Sequence, residues 1–318
     1  MTPFTPASAN LTTLALCFVS GPGAKIWPPE QEDAMKDILL ATDFSDRADR
    51  ATSRAVALAK SHGATLRLVH VVDDDLSKRV ASGQETVAKE QLDEVASAAK
   101  SEGVKCVVLV ARGQAHEAIA DAAVDAGTDL IVIGSHRRDP LRNAFVGTTA
   151  ERLIRVCSTP VLVVRAETPK DYACAAVAVD LGEEGVSHID RLQKLGLSGD
   201  DCIVPIFAYE AGEFHLMRRA GATVAELKAA FEAEKNTISP TVSALMNSSG
   251  LRPDQAVVKP VLFNTPDTIL GAADEANADL LVVGSRRKTA FKRFTLGSVS
   301  EACLLRAEID LLVLPPEA

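Results

Sequence analysis

The sequence predicts an α/β protein built on parallel sheet with helices on both faces. Short β-branched apolar runs alternate with amphipathic segments from residue 37 onward, which is the pattern of repeated β-α units. The runs are apolar on both faces, as strands must be in a sheet that helices cover on each side. The same alternation begins again near Tyr172, so the pattern occurs twice along the chain.

Ten strands and the helices between them are predicted along the chain. The strands of the first pass are Asp37–Asp43, Leu66–Val72, Cys106–Arg112, Leu130–Ser135 and Val161–Arg165. Those of the second pass are Ala175–Asp180, Ile203–Ala208, Val257–Phe263, Leu280–Ser285 and Leu311–Leu314. Helix patterns lie at about 47–61, 84–101, 114–126 and 147–157, and a long one runs from about 213 to 248.

The two passes are copies of one unit. The segment that starts at Asp129 (DLIVIGSHRR…) aligns without a gap with the segment that starts at Asp279 (DLLVVGSRRK…), and the offset stays at 150 through the last strand. We therefore expect two doubly wound domains of one fold, 35–167 and a more divergent 172–318. The linker between them carries Pro169 and a charge cluster.

Composition argues against several classes of function. The chain has 318 residues with 34 Lys and Arg against 43 Asp and Glu, a net charge of −9, so neither nucleic acid nor an anionic membrane surface is an expected partner. Aromatic residues make up only 4%, too few for stacking platforms. The six cysteines are scattered without a Cys-x-x-Cys pair, which predicts neither structural zinc nor a disulfide framework and favours a reducing, cytoplasmic location.

Residues 1–34 are expected to be a disordered leader. The stretch contains five prolines, and only Leu11–Ser20 is continuously apolar. That run is too short to span a bilayer, which takes about 20 residues, and no Lys or Arg precedes it as in a signal peptide. Met35, directly before the first strand, offers an alternative start of the natural protein.

An aspartate ends the first predicted strand of each copy, Asp43 in one and Asp180 in the other. The carboxyl ends of parallel strands border the crevice in which open α/β sheets bind ligands. The alternative is that Asp43 or Ser45 caps the helix that follows. Taken alone, these residues leave both interpretations open.

A basic loop follows the fourth strand of each copy and leads into a helix. Glycine lets a backbone approach a ligand closely, and free N–H groups at a helix N-terminus attract anions. Capping boxes at Thr148-x-x-Glu151 and Ser298-x-x-Glu301 explain the hydroxyl residues without a ligand, but not the arginines and lysines ahead of them. We therefore predict phosphate binding here. The loop residues are Gly134, Ser135, Arg137, Arg138, Arg142, Gly147 and Thr148, and Gly284, Ser285, Arg286, Arg287, Lys288, Gly297 and Ser298.

This spacing resembles that of the universal stress protein family, over nearly the whole chain after residue 35. Members that bind ATP carry Gly-x2-Gly-x9-Gly-Ser/Thr before the last helix, an aspartate ending the first strand and a His-Val-like pair ending the second. The resemblance implies five-stranded parallel sheets of order 3-2-1-4-5, with ATP or a related adenine nucleotide, and magnesium, in the crevice between strands 1 and 4. It also implies that the fifth strands pair, as an intramolecular pseudo-dimer or in a homodimer; the alternative is two ordinary edge strands.

Carried over residue by residue, the resemblance implies a nucleotide site in each copy. Asp43 and Asp180 match the aspartate near the adenosine, and Val71 and Ala208 match the backbone position that contacts adenine. The matching loop positions are Gly134, Ser135, Arg137, Gly147, Thr148 and Thr149 in the first copy, and Gly284, Ser285, Arg287, Gly297 and Ser298 in the second.

The second glycine of the motif is an arginine in both copies, Arg137 and Arg287. A side chain at that position either crowds the triphosphate or supplies a bidentate phosphate contact, and the sequence does not choose between these outcomes.

The leading hypothesis is a nucleotide-responsive stress or signalling module with no assigned catalytic residue and slow ATP hydrolysis at most. The alternative is an interaction or structural protein that has lost nucleotide binding, which the two arginines favour. The first copy keeps His70-Val71 where the second has Phe207-Ala208, so we expect the first site to be the more competent one.

Overall fold

The computed structural model describes residues 35–135, 148–167, 170–181, 183–198, 202–287 and 294–316. Its strands are β1 Asp37–Ala41, β2 Thr65–Val72, β3 Lys105–Arg112, β4 Leu130–Gly134, β5 Val161–Val164, β6 Ala175–Val179, β7 Ile203–Glu210, β8 Val257–Val261, β9 Leu280–Gly284, β10 Arg286–Arg287, β11 Phe294–Thr295 and β12 Asp310–Leu314. Strands β10 and β11 form a separate antiparallel pair, and the other ten form one sheet. Predictions for residues 1–34, Arg137, Arg138, Arg142, Gly147 and Lys288 fall outside the described residues.

Helices connect the strands. They are α1 Asp46–His62, α2 Lys78–Ser101, α3 Ala115–Ala126, α4 Thr149–Val156, α5 Glu183–Leu195, α6 Gly212–Arg219, α7 Val224–Ser248, α8 Thr265–Glu275 and α9 Ser298–Arg306. A short 3₁₀ turn lies at Pro253–Gln255. Among the described helices, none combines the length and the apolar character that a membrane crossing needs.

The sheet consists of two five-stranded halves that meet edge to edge, in the order β3-β2-β1-β4-β5-β12-β9-β6-β7-β8. The first half has the predicted order 3-2-1-4-5. The second half has the same order when its strands are counted from its outer edge toward the centre. Neighbouring strands are parallel everywhere except between β5 and β12. The predicted fold class is confirmed, whereas the exact domain limits 35–167 and 172–318 stay a prediction.

The antiparallel pairing of β5 with β12 joins the two copies. Leu162 lies opposite Leu312, and Val161 and Val163 lie opposite Val313 and Leu311. Because equivalent residues are 150 positions apart, Leu162 faces its own counterpart, and an approximate twofold axis passes through this pair. Every residue of both strands is buried. The alternative of two exposed edge strands is therefore wrong.

Helices cover both faces of the sheet. Helices α1, α2, α5 and α7 contribute to one core layer, and helices α3, α4, α8 and α9 contribute to the other. Along β1, Ile38 and Leu40 point into the first layer and Leu39 into the second, and all three are fully buried. This alternation explains why the strands are apolar on both faces.

In each copy, an aspartate just before the fourth strand binds the backbone at the start of the first strand. Asp129 accepts hydrogen bonds from two backbone N–H groups at the start of the first copy, at 2.7 and 2.9 Å. Asp279 does the same ahead of β6, at 2.8 and 3.0 Å. The two aspartates therefore have the same structural role, and each is the first residue of the gapless match between the copies.

A buried ion pair joins the two copies next to the paired strands β5 and β12. Asp310, which is fully buried, lies 3.2 Å from the guanidinium of Arg54 on α1 and accepts a 2.7 Å hydrogen bond from the Tyr172 hydroxyl. It also accepts from the backbone N–H groups of Arg165 and Ala166, at 2.7 and 2.8 Å. The Arg54 guanidinium stacks over the Tyr172 ring at 4.3 Å. Burial, followed by the Asp310 charge, raises the pKa of Tyr172, so its hydroxyl remains a donor.

The long helix predicted from about 213 to 248 is interrupted, so this prediction is wrong in part. Helix α6 ends at Arg219, and Gly221 adopts a left-handed conformation with φ of 82°. Thr223 and Glu226 then form a capping box that starts α7. A left-handed glycine and a new N-cap end one helix and begin another.

Cys174 and Cys202 form a disulfide, although the scattered spacing of the cysteines predicted no disulfide framework. The two residues are far apart in sequence but directly precede β6 and β7, which are adjacent parallel strands that start at the same edge of the sheet. This bond removes part of the basis for predicting a reducing location. Of the other described cysteines, Cys157 and Cys303 are buried and Cys106 is half-buried, and burial raises the pKa of each of these thiols.

Replacing Asp310 with alanine is expected to lower the free energy of unfolding by about 3–5 kcal/mol, because it leaves the buried Arg54 charge without its partner. Glu167→Ala is the control, since the Arg50–Glu167 pair is exposed and is worth about 1 kcal/mol or less. Urea unfolding of both variants measures the difference. Equal, small losses of unfolding free energy in the two variants would contradict the role of Asp310 as the buried partner of Arg54.

His62 is expected to make stability depend on pH. Its ring packs so closely on Gly196, across the two copies, that a Cβ there would lie 2.7 Å from the ring. Burial lowers the pKa of His62 below its ordinary value of 6.5, although Asp171 opposes this shift. The unfolded chain then binds a proton at higher pH than the folded one, so stability falls as the pH drops through and below 6.5. Urea unfolding at neutral and mildly acidic pH should show a smaller loss in His62→Gln than in wild type; equal losses would contradict it.

Candidate functional site

The carboxyl ends of β1 and β4 border a cavity of about 150 Å³. These neighbouring strands connect in opposite directions across the sheet, to β2 on one side and β5 on the other. The cavity therefore lies at the topological switch point, where open α/β sheets bind ligands. Residues from the starts of α1, α3 and α4 complete its walls.

Five residues predicted from the sequence line this cavity: Asp43, Val71, Gly134, Ser135 and Thr149. They come from segments that are far apart along the chain, and the strand order brings them together. Thr148 immediately precedes Thr149 and caps α4. Arg137 and Gly147 lie outside the described residues. Direct contact of any of these residues with a ligand stays a prediction.

One wall of the cavity is apolar. It is formed by buried aliphatic side chains of β1, β2 and β4 and of the helices that cover this face. These residues are Ala41, Val69, Ile119, Ile133 and Ala150. The remaining lining is polar, so the cavity combines an apolar wall with a few polar groups, as small-molecule sites do.

The turn after β1 orients the Asp43 carboxylate. Its Oδ1 accepts hydrogen bonds from the backbone N–H and the hydroxyl of Ser45, at 3.1 and 2.6 Å. Ser45 in turn caps α1 by accepting from the N–H of Ala48 at 3.4 Å. Of the two capping candidates, Ser45 is the cap. Asp43 is exposed and lines the cavity.

Phe44, between these two residues, has a left-handed backbone with φ of 59°. For a residue other than glycine this conformation costs about 1–2 kcal/mol. Its ring stacks on His70 with 4.6 Å between centroids, and its N–H donates to the Thr42 hydroxyl at 3.1 Å. The His70 Nδ1 lies 2.9 Å from the Thr42 carbonyl oxygen. These contacts hold the strained turn and one side of the cavity in place.

Helix packing alone accounts for the glycine at the end of β4. A Cβ on Gly134 would lie 2.8 Å from the carbonyl oxygen of Arg47, because α1 passes directly against the strand. In the second copy the imidazole of His188 occupies the corresponding space against Gly284. The sequence motif therefore reflects close helix–strand contact, whatever the ligand.

The helix after the basic loop begins differently in the two copies. In the first, the Thr148 hydroxyl accepts from the N–H of Glu151 at 3.3 Å, as half of the predicted capping box. In the second, Ser298 is the first residue of α9 and Gly297 takes the cap position, with no side-chain cap. The prediction of a Ser298 capping box is therefore wrong: the helix starts one residue earlier, and the N–H of Glu301 bonds to the Gly297 carbonyl.

The second copy brings its predicted residues to the equivalent edge of the sheet. Asp180 follows β6 and is exposed, while Gly284 ends the adjacent strand β9. Ala208 lies in β7 and is half-buried, and the Arg287 backbone lies in β10. Ser285 is buried, and its N–H donates to the Leu314 carbonyl at 2.8 Å.

Ser300 distinguishes the second copy further. Its hydroxyl donates to the Gly284 carbonyl at 2.5 Å, whereas the equivalent residue in the first copy is Ala150, part of the apolar wall. A polar group therefore replaces a methyl group at this position in the second copy.

Among the cavity residues that sequence reasoning missed are Arg47, Ala115 and Ile119, which come from the helices. Ala115 and Ile119 are separated by four positions and lie on one face of α3, which starts just after β3. Arg47 lies in the first turn of α1, right after the predicted Asp43. Both segments follow strands that end at this edge, which is the signal that would have found them.

Comparison with known proteins identifies the family. The model of the universal stress protein family matches residues 35–165 and 212–315. A universal stress protein of Methanocaldococcus jannaschii is 29% identical over 153 residues, covering 41% of this chain and 94% of that protein. One of Thermus aquaticus is 32% identical over 136 residues, covering 41% and 98%. Each of these relatives is therefore about the length of one copy.

Solved structures agree at the level of fold. A universal stress protein from Archaeoglobus fulgidus is similar to the chain with a TM-score of 0.61 at 18% identity, covering 90% of this chain and 99% of that one. The family match, which extends over most of the chain in two regions, carries the assignment. This chain belongs to the universal stress protein family, as a member with two tandem copies of the family unit.

Proposed function

We propose that the chain binds an adenine nucleotide of the ATP class in the cavity of its first copy and acts as a nucleotide-responsive module in stress response or signalling. The observation that carries this proposal is the cavity at the switch point, lined by residues from three separate predicted motifs. Membership of the universal stress protein family supports it.

The residues present fit the parts of such a ligand. The apolar wall of Ala41, Val69, Ile119, Ile133 and Ala150 suits a purine base. The cavity volume of about 150 Å³ is smaller than the roughly 300–1,000 Å³ of sites that enclose a drug-sized ligand. A bound base would therefore fill it, and the sugar and phosphates would extend past its polar residues.

Polar groups are placed to receive those parts. The Asp43 carboxylate, held by Ser45, is an acceptor for sugar hydroxyls. Ser135 follows β4, and Thr149 begins α4, whose N-terminus favours an anion. Magnesium would accompany the phosphates as their counter-ion. The proposal includes no catalytic residue.

Differences between the copies favour the first one. His70 stacks on Phe44 beside the first cavity, and the second copy has Phe207 and Leu181 at these two positions. Ser300 also places a hydroxyl where the first copy has the Ala150 methyl group. We therefore expect one nucleotide per chain.

Isothermal titration with ATP and with AMP tests the proposal. Saturable binding is expected with a Kd below about 1 mM, equivalent to about −4 kcal/mol, and a stoichiometry near one. Two equal sites would contradict the assignment to the first copy. No saturable binding of either nucleotide would overturn the proposal and favour a protein that acts through interactions alone.

Asp43→Ala is expected to weaken ATP binding by about tenfold or more, because a hydrogen bond to a charged group is lost. Asp180→Ala, the matched change in the second copy, should leave the affinity unchanged. Gly147→Val should also weaken binding if the loop approaches the phosphates. The same titration measures all three variants, and an unaltered affinity in Asp43→Ala would show that the ligand lies elsewhere.

A further inference from the structure

Three arginines on α1 have different surroundings. Arg54 pairs with buried Asp310, and Arg50 pairs with Glu167 at 2.9 Å. Arg47 is half-buried and lines the cavity of the first copy. Within the described part of the chain, no hydrogen bond or ion pair engages the side chain of Arg47. A cation that forms no ion pair within the described chain thus borders the cavity.

The second copy reverses this charge. Helices α1 and α5 each begin three residues after the first-strand aspartate, so equivalent residues are 137 positions apart. The counterpart of Arg47 is therefore Glu184.

Resting on the function proposed above, we propose that Arg47 selects a phosphate-bearing adenine ligand over an uncharged one. A guanidinium forms short, charge-assisted hydrogen bonds to phosphate oxygens, and a half-buried position screens them less than open water does. The role of Arg47 is thus to recognise charge, while the apolar wall holds the base.

This role matters in a chain with a net charge of −9. The acidic residues of the same segment are Asp43, which also lines the cavity, and Asp46 and Asp49 in the first turn of α1. These carboxylates would oppose a polyphosphate. Arg47 is the cation of that segment that borders the cavity, so its removal should affect charged ligands and spare neutral ones.

The test compares ATP with adenosine, titrated separately by calorimetry into wild type, Arg47→Met and Arg47→Glu. Arg79→Glu is the control, because it makes the same charge change at an exposed position at the start of α2. Methionine keeps the length of the side chain without its charge, and thermal unfolding verifies that each variant is folded.

Wild type should bind ATP more tightly than adenosine, with one ATP per chain. Arg47→Met should lose about tenfold or more in ATP affinity, and Arg47→Glu should lose more, while adenosine affinity changes less than about twofold in both. Raising the salt concentration should reduce the difference in affinity between ATP and adenosine more in wild type than in Arg47→Met.

Three outcomes would count against the inference in distinguishable ways. Equal losses for ATP and adenosine would show that Arg47 shapes the cavity and does not recognise phosphate. Unchanged ATP affinity in Arg47→Glu, or a loss of the same size in Arg79→Glu, would overturn the role of Arg47 while nucleotide binding stands. Failure of wild type to bind either ligand would overturn the proposed function itself.

Discussion

The pairing of β5 with β12 is the contact on which the rest of the structure depends. Each strand ends a five-stranded half, and alone it would expose a row of unpaired N–H and C=O groups. Paired about the Leu162–Leu312 contact, each satisfies the other, and the two halves become one ten-stranded sheet. The Asp310 carboxylate then binds the chain that leaves β5, through the N–H groups of Arg165 and Ala166, and the Arg54 charge secures it from α1.

Much of this fold could be predicted because strand signals are local. Runs of β-branched residues between polar segments identified all ten strands of the sheet, with ends a few residues off: β1 stops at Ala41, two residues before Asp43. The break between α6 and α7 depends on one glycine and one cap, which a strong helical pattern on either side obscured. The Cys174–Cys202 bond could not be inferred from spacing, because it depends on which strands become neighbours.

The cavity was predictable to the extent that strand ends define it. Asp43, Val71 and Gly134 all follow from the rule that parallel strands present their carboxyl ends at one edge. Arg47 and Ile119 come from the helices that follow, and the sequence alone does not say which turn of a helix borders a crevice. Gly134 is a different case. The sequence motif assigns this glycine to ligand binding, but the close approach of α1 already requires a residue without a side chain there.

The antiparallel join also fixes the direction in which each crevice opens. Strands β1 and β4 run parallel to β5, and strands β6 and β9 run parallel to β12, so their carboxyl ends lie at opposite edges of the sheet. A molecule seated in the first crevice is therefore separated from the second by the length of the strands. Any signal between them must travel through the shared layers of the molecule. The residues that line the first cavity all belong to the first copy, so a change at the opposite edge leaves this lining as it is.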